Sequence, residues 1–169
     1  MIVHATFVNK KNFHNQEELE CLDAFADFLK TAFHFIKEVK IIPPFYFEEA
    51  LKKSEYKVDM YDAAWLDPML NNYARRKNFD NLFALVNGGV VDFNDDIYVG
   101  GACLKDSFYV SLCRKIDNIP RTIQHEIGHG IGLEHHSNCL MSDDKTKVNY
   151  FCDDCLEKIL NYKPVQTIK

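Results

Sequence analysis

His125-Glu126-Ile127-Gly128-His129-Gly130-Ile131-Gly132-Leu133-Glu134-His135, with a methionine downstream at Met141, is the stretch of this chain that decides its fold. On a helix, residues four apart lie one turn apart on the same face, so His125 and His129 can point at one ion while Glu126 stands beside it. Glu126 then reads as a base and not a ligand. Gly132, three residues after His129, can end the helix in a left-handed conformation and turn the chain so that His135 returns to the ion. Three neutral imidazoles leave the fourth tetrahedral position to water, which is the layout of a catalytic zinc. Two surface histidines on an amphipathic helix could give His-Glu-x-x-His alone. With the glycine and the third histidine added, a chance match falls to the order of one in a hundred thousand chains of this size, which decides for metal.

Working outward, 169 residues suit one domain, long enough to bury about two-thirds of the surface its unfolded chain exposes. Apolar residues make up 47% and aromatics 13%, which points to a filled core and excludes disorder. The formal charge of −5 carries no basic stripe, so no nucleic-acid partner is expected; Lys10, Lys11 and the run Arg75 to Lys77 read as solvated surface. The opening MIVHATFVNKKNF alternates like a strand and lacks the apolar run of a signal peptide, and no stretch is long enough to span a membrane. Six cysteines without an export signal read as metal ligands and buried thiols, and a cytoplasmic monomer is expected.

A strand is expected over Ile2 to Val8. Asn15 can cap a helix from about Glu17 to Ile36, since Leu19, Leu22, Phe25, Phe28, Leu29, Phe33 and Ile36 recur at helical spacing. Val39 to Ile42 reads as a short strand, and a second helix falls within Ala63 to Arg76. Strands follow over Leu82 to Val86 with Val90 to Phe93, then Ile97 to Leu104, then Phe108 to Cys113. The histidine-bearing helix starts near Pro120 or Arg121, and a last helix covers Cys155 to Tyr162. Strand, helix and strands followed by a metal-bearing helix make an α/β layer arrangement.

His136-x-x-Cys139 and Cys152-x-x-Cys155 are two short knuckles separated by a loop, the pattern of a closed, structural zinc site of three sulfurs and one nitrogen. A buried Cys139 with a free or redox Cys152/Cys155 dithiol is the alternative. Cys21, Cys103 and Cys113 lack partner spacing and lie on apolar patterns, so they read as inert core. His4, His14 and His34 carry no ligand spacing. Asp143, Asp144, Asp153 and Asp154 form acidic pairs without a calcium-loop pattern and read as solvated or as neighbours of the zinc ligands.

The His-Glu-x-x-His-x-x-Gly-x-x-His stretch with its downstream methionine resembles the metzincin zinc peptidases, and the C-terminal half is similar to the archaemetzincin family. That family follows its third histidine with Cys-x4-Cys-x-Met-x17-Cys-x-x-Cys, which binds a second zinc. Here Cys139-Leu140-Met141 and Cys152-Asp153-Asp154-Cys155 are kept, both intervals are shorter, and His136 stands where the family has cysteine. VVDFNDDIYVGGACLKDSFYVSLCR also resembles the family's segment before its active-site helix, and the likeness runs from about Asn81 to Leu156. It implies a metzincin-like twisted mixed sheet of about five strands, a backing helix and an active-site helix, with an upper part over residues 1–132 and a small zinc-bound subdomain over 133–169. It implies further that Met141 forms an apolar floor beneath the imidazoles, and that Ile97 to Cys103 is a sheet edge able to pair with an extended peptide.

The function expected is a zinc-dependent metallopeptidase acting on peptides or short polypeptides, with two zinc ions per chain, one catalytic at His125, His129 and His135 and one structural at His136, Cys139, Cys152 and Cys155. Glu126 is the expected general base, and Tyr150 is a guess for an extra donor to the developing oxyanion. The alternative is a zinc-stabilised binding or regulatory protein of the same fold with little turnover.

Overall fold

Ile2–Val8 forms the strand β1, interior to a sheet, and from Ala5 to Val8 its side chains are buried on both faces. The computed structural model describes residues 1–9, 13–45, 51–53, 59–95, 97–104, 107–112, 119–142 and 148–164. The expectations for Lys10, Lys11, Cys113, Asp143 and Asp144 lie outside these residues. After β1 come α1 (Gln16–Ala32), β2 (Glu38–Ile41), β3 (Leu51–Lys53), β4 (Asp59–Asp62), α2 (Ala63–Lys77) and β5 (Leu82–Val86). They are followed by β6 (Val90–Asp92), β7 (Ile97–Tyr98), β8 (Gly101–Cys103), β9 (Ser107–Ser111), α3 (Ile119–Gly130) and α4 (Asp153–Asn161).

The main sheet has five strands in the order β2-β1-β5-β9-β8. Its first four run parallel, and β8 lies antiparallel on the edge, pairing Gly101 with Val110 and Cys103 with Phe108. Val3, Ala5, Phe7, Phe83, Leu85, Phe108 and Val110 cover one face with α1 and α3. On the other face Val8, Leu82, Ala84, Val86 and Tyr109 pack with Leu66, Leu70 and Ala74 of α2. Such a three-layer stack buries both sheet faces, as a parallel sheet requires. The expected α/β architecture with a five-stranded mixed sheet is therefore the one observed.

Asn15 caps α1 as expected: its side chain accepts from Glu18 N–H at 2.8 Å, while Glu18 accepts from Asn15 N–H at 3.0 Å. The helix stops at Ala32 and not at Ile36, because Phe33 turns extended at φ −134°. Phe33, Phe35 and Ile36 stay buried outside the helix, so burial continued the stripe past the helix end. Cys21 is a correction: it is exposed, lying outside the arc of α1 that buries Leu22, Phe25 and Leu29. A second correction concerns Ile97 to Leu104, which is not one strand. It breaks around Gly100, β7 joining a second, four-stranded sheet of order β3-β4-β6-β7 that the sequence reading did not anticipate, and β8 joining the main sheet. Among the described residues no helix is long and apolar enough to cross a membrane.

Candidate metal centre

The active-site helix of the sequence reading is α3, held to the sheet by buried Ile123 and Ile127. It ends where Gly132 adopts φ +86°. Gly132 N–H bonds the His129 carbonyl and Leu133 N–H bonds the Gly128 carbonyl, each at 2.9 Å, which is the paired closure of a glycine-terminated helix. The turn brings His135 back over the helix end. His129 Nε2 lies 3.1 Å from His125 Nε2 and 3.0 Å from His135 Nε2.

The donor set can be tested against a metal by its hydrogen bonds. His125 Nδ1–H donates to the Leu140 carbonyl at 3.1 Å, and His129 Nδ1–H to the Leu133 carbonyl at 2.9 Å. In a neutral ring that leaves Nε2 as a bare lone pair. Lone pairs at such separations repel, and a cation between them removes the repulsion. Two Zn–N bonds of about 2.0–2.1 Å set at a tetrahedral angle span roughly 3.3 Å, close to the spacings here. Burial, with the neighbouring His129, His135 and Arg121, holds His125 below the usual imidazole range despite the Leu140 bond, favouring the ring that can ligate.

Glu126, only 7% exposed, stands outside this donor cluster and lines the same cavity of about 270 Å³ as the three imidazoles. Gly101, Arg121, Thr122 and Ser142 complete its wall. Met141 is fully buried beneath α3; a Cβ on Gly128 would fall 2.5 Å from its sulfur, so the first glycine of the helix leaves the space that Met141 fills. Tyr150 has its side chain 67% exposed, and its carbonyl accepts from Leu140 N–H at 2.7 Å.

A second donor cluster joins His136, Cys152 and Cys155. Cys139 Sγ lies 3.7 Å from Cys155 Sγ and accepts from Cys152 N–H at 3.2 Å, and Cys152 Sγ lies 3.7 Å from His136 Nδ1. Cys139 stands outside this group of three but touches it through the Cys155 thiol and the Cys152 N–H, so the two knuckles meet. Burial and the neighbouring thiols push Cys155 up. At Cys139 burial also raises the thiol, but the backbone N–H groups of Met141 and Cys152 and the adjacent thiols outweigh it and bring the thiol down. Cysteine sulfurs beside an imidazole are a donor set suited to a soft cation.

The other histidines join neither cluster. His4 stacks on Phe79 with centroids 3.9 Å apart, His14 Nε2–H donates to the Ile42 carbonyl at 2.8 Å, and His34 meets Phe35 edge-on. Cys103 is half-buried against the core. Asp153 and Asp154 are exposed in the first turn of α4, where negative charge is favoured. Arg121 was missed by the sequence reading. Buried at 4% exposure, it donates to the carbonyls of Leu140 at 3.1 Å, Ser142 at 3.0 Å and Val148 at 3.2 Å. A cation one turn before His125 on the same helix was the available signal.

No protein-family model matches the chain, and no curated protein does. Among solved structures, that of archaemetzincin from Methanopyrus kandleri is similar with a TM-score of 0.66 and 21% identity, covering 95% of this chain and 93% of that one. The likeness is one of fold, and it extends through the N-terminal eighty residues where sequence gave only a general layout.

Proposed function

We propose that this chain, folded like archaemetzincin, is a zinc-dependent metallopeptidase that hydrolyses peptides or short polypeptides. The observation that carries the reading is the convergence of three Nε2 lone pairs, two fixed by Nδ1 bonds to carbonyls, beside a buried carboxylate in an open cavity. His125, His129 and His135 would hold the zinc, which supplies a Lewis acid for the scissile carbonyl and a water acidic near pH 7. Glu126 takes the proton of the attacking water and returns it to the leaving nitrogen, so hydrolysis needs no covalent intermediate on the protein. β8 is the edge of the main sheet next to α3, and an extended peptide can add to it as a further strand. His136, Cys139, Cys152 and Cys155 would hold a second, structural zinc that ties α4 to the turn after α3. Cytoplasmic location, a monomeric state and the absence of nucleic-acid partners belong to the same proposal.

The test is metal dependence. Peptide hydrolysis by the purified protein should stop on chelation, return with added zinc, and be absent from His129→Ala at any zinc concentration. Hydrolysis that survives in His129→Ala would sink the assignment. Zinc retention with no cleavage of any peptide would favour the binding-protein alternative.

A further inference from the structure

Gly101 is a glycine that its backbone conformation does not explain. The described glycines at positive φ are Gly88 and Gly132, so an L-residue could adopt the dihedrals of Gly101. A glycine inside a strand weakens it and marks a place where something approaches closely. A Cβ placed on Gly101 falls 2.9 Å from Glu126 Cγ, 3.0 Å from Glu126 Oε1 and 2.9 Å from the Tyr109 carbonyl oxygen. Carbon atoms do not pack that tightly, so a side chain there must move one of these neighbours. The helix itself cannot retreat, since Ile123 and Ile127 are packed into the core, so what must yield at Glu126 is its side chain, which would swing within the cavity it lines and away from its place beside the imidazoles. Cys103 offers an independent sign. It lies two residues on and so on the same face of β8, and its thiol is pushed up to about 11 by burial and then by the Glu126 charge.

We propose that Gly101 is a positioning residue for Glu126: the missing side chain leaves the space in which the carboxylate is held against the β8 backbone and level with the three imidazoles. The catalytic part of this proposal rests on the reading of Glu126 as general base. Its steric part does not. Gly101→Ala is therefore made both in the natural chain and in Glu126→Ala, which has no Cγ or carboxylate to collide with. In the natural chain the substitution should lower the melting temperature by about 5 °C, as expected for overpacking in a chain of this size. In the Glu126→Ala background the loss should be less than half as large. Zinc content should be unchanged, while kcat for peptide hydrolysis falls at least about tenfold and KM stays within about twofold, the pattern of a misplaced group acting in the transition state.

Equal losses of melting temperature in the two backgrounds would assign the crowding to the Tyr109 carbonyl and overturn the proposal. An unchanged kcat in Gly101→Ala, with the natural chain active, would overturn it as well. If the natural chain cleaves no peptide, the base reading fails by itself, and the four melting temperatures still decide whether Gly101 seats Glu126.

Discussion

Three glycines do three different jobs around one helix, and only one of them could be read from spacing. Gly132 sits at φ +86° with no atom within 4 Å of where a Cβ would stand, so its need is purely conformational. Forcing an L-residue into that region costs about 1–2 kcal/mol, and Asn tolerates it best. Gly132→Ala should lose about that much stability in urea denaturation and bind zinc more weakly at the histidine cluster, because the turn delivers His135; Gly132→Asn should lose less of both. Equal behaviour of the two variants would contradict a conformational cause. The position of Gly132 was legible because helix geometry fixes where a third ligand can return. Gly128 and Gly101 were not, since the first makes room for Met141 and the second for Glu126, contacts made across the fold.

At the scale of elements, α3 carries its own anchoring to the segment beyond it. Arg121 holds the carbonyls of Leu140, Ser142 and Val148, and the Leu140 carbonyl is also the acceptor for His125 Nδ1–H. Replacing Arg121 with Met keeps much of the packing volume but removes the donors to three carbonyls. A destabilisation of about 3 kcal/mol is expected, with each buried group left unsatisfied costing about 1–3 kcal/mol before relaxation or water recovers part of it. Denaturation would measure the loss, and limited proteolysis should show new cutting between residues 140 and 150. A variant as stable and as resistant as the natural chain would contradict this role. Helical periodicity gave the body of α1, alternation gave β1, and short strand-forming runs gave β5 and β9. Periodicity alone could not tell that α1 ends before Phe33, Phe35 and Ile36, which stay buried beyond it, nor that Ile97 to Cys103 serves two sheets, because packing decides the first and strand partners 5 to 9 residues away in the chain decide the second.

For the molecule as a whole, the two donor clusters are neighbours in the chain and share its core. His135 belongs to one and His136 to the other, while Cys139 stands just before the Leu140 carbonyl that orients His125. Cys139, Met141, Cys155 and Ile159 pack in the same core as α1 and α3. Elemental analysis should find two zinc ions per chain; His129→Ala should lose one, and Cys152→Ser the other, with protease sensitivity appearing beyond Gly132. One zinc in the natural protein, still present in His129→Ala, would contradict a two-site account. The substrate was never legible, since the cavity wall beyond α3 comes from residues such as Gly101 and Ser142 that only the fold assembles. If Glu126 makes this centre a peptidase, mass-spectrometric analysis of a proteome-derived peptide library, digested by the natural chain and by Glu126→Gln at equal zinc content, shows it most directly. Cleavage by the natural chain, reduced at least about a hundredfold in the variant as expected for loss of a general base, is the predicted result; equal cleavage by the two proteins would contradict it.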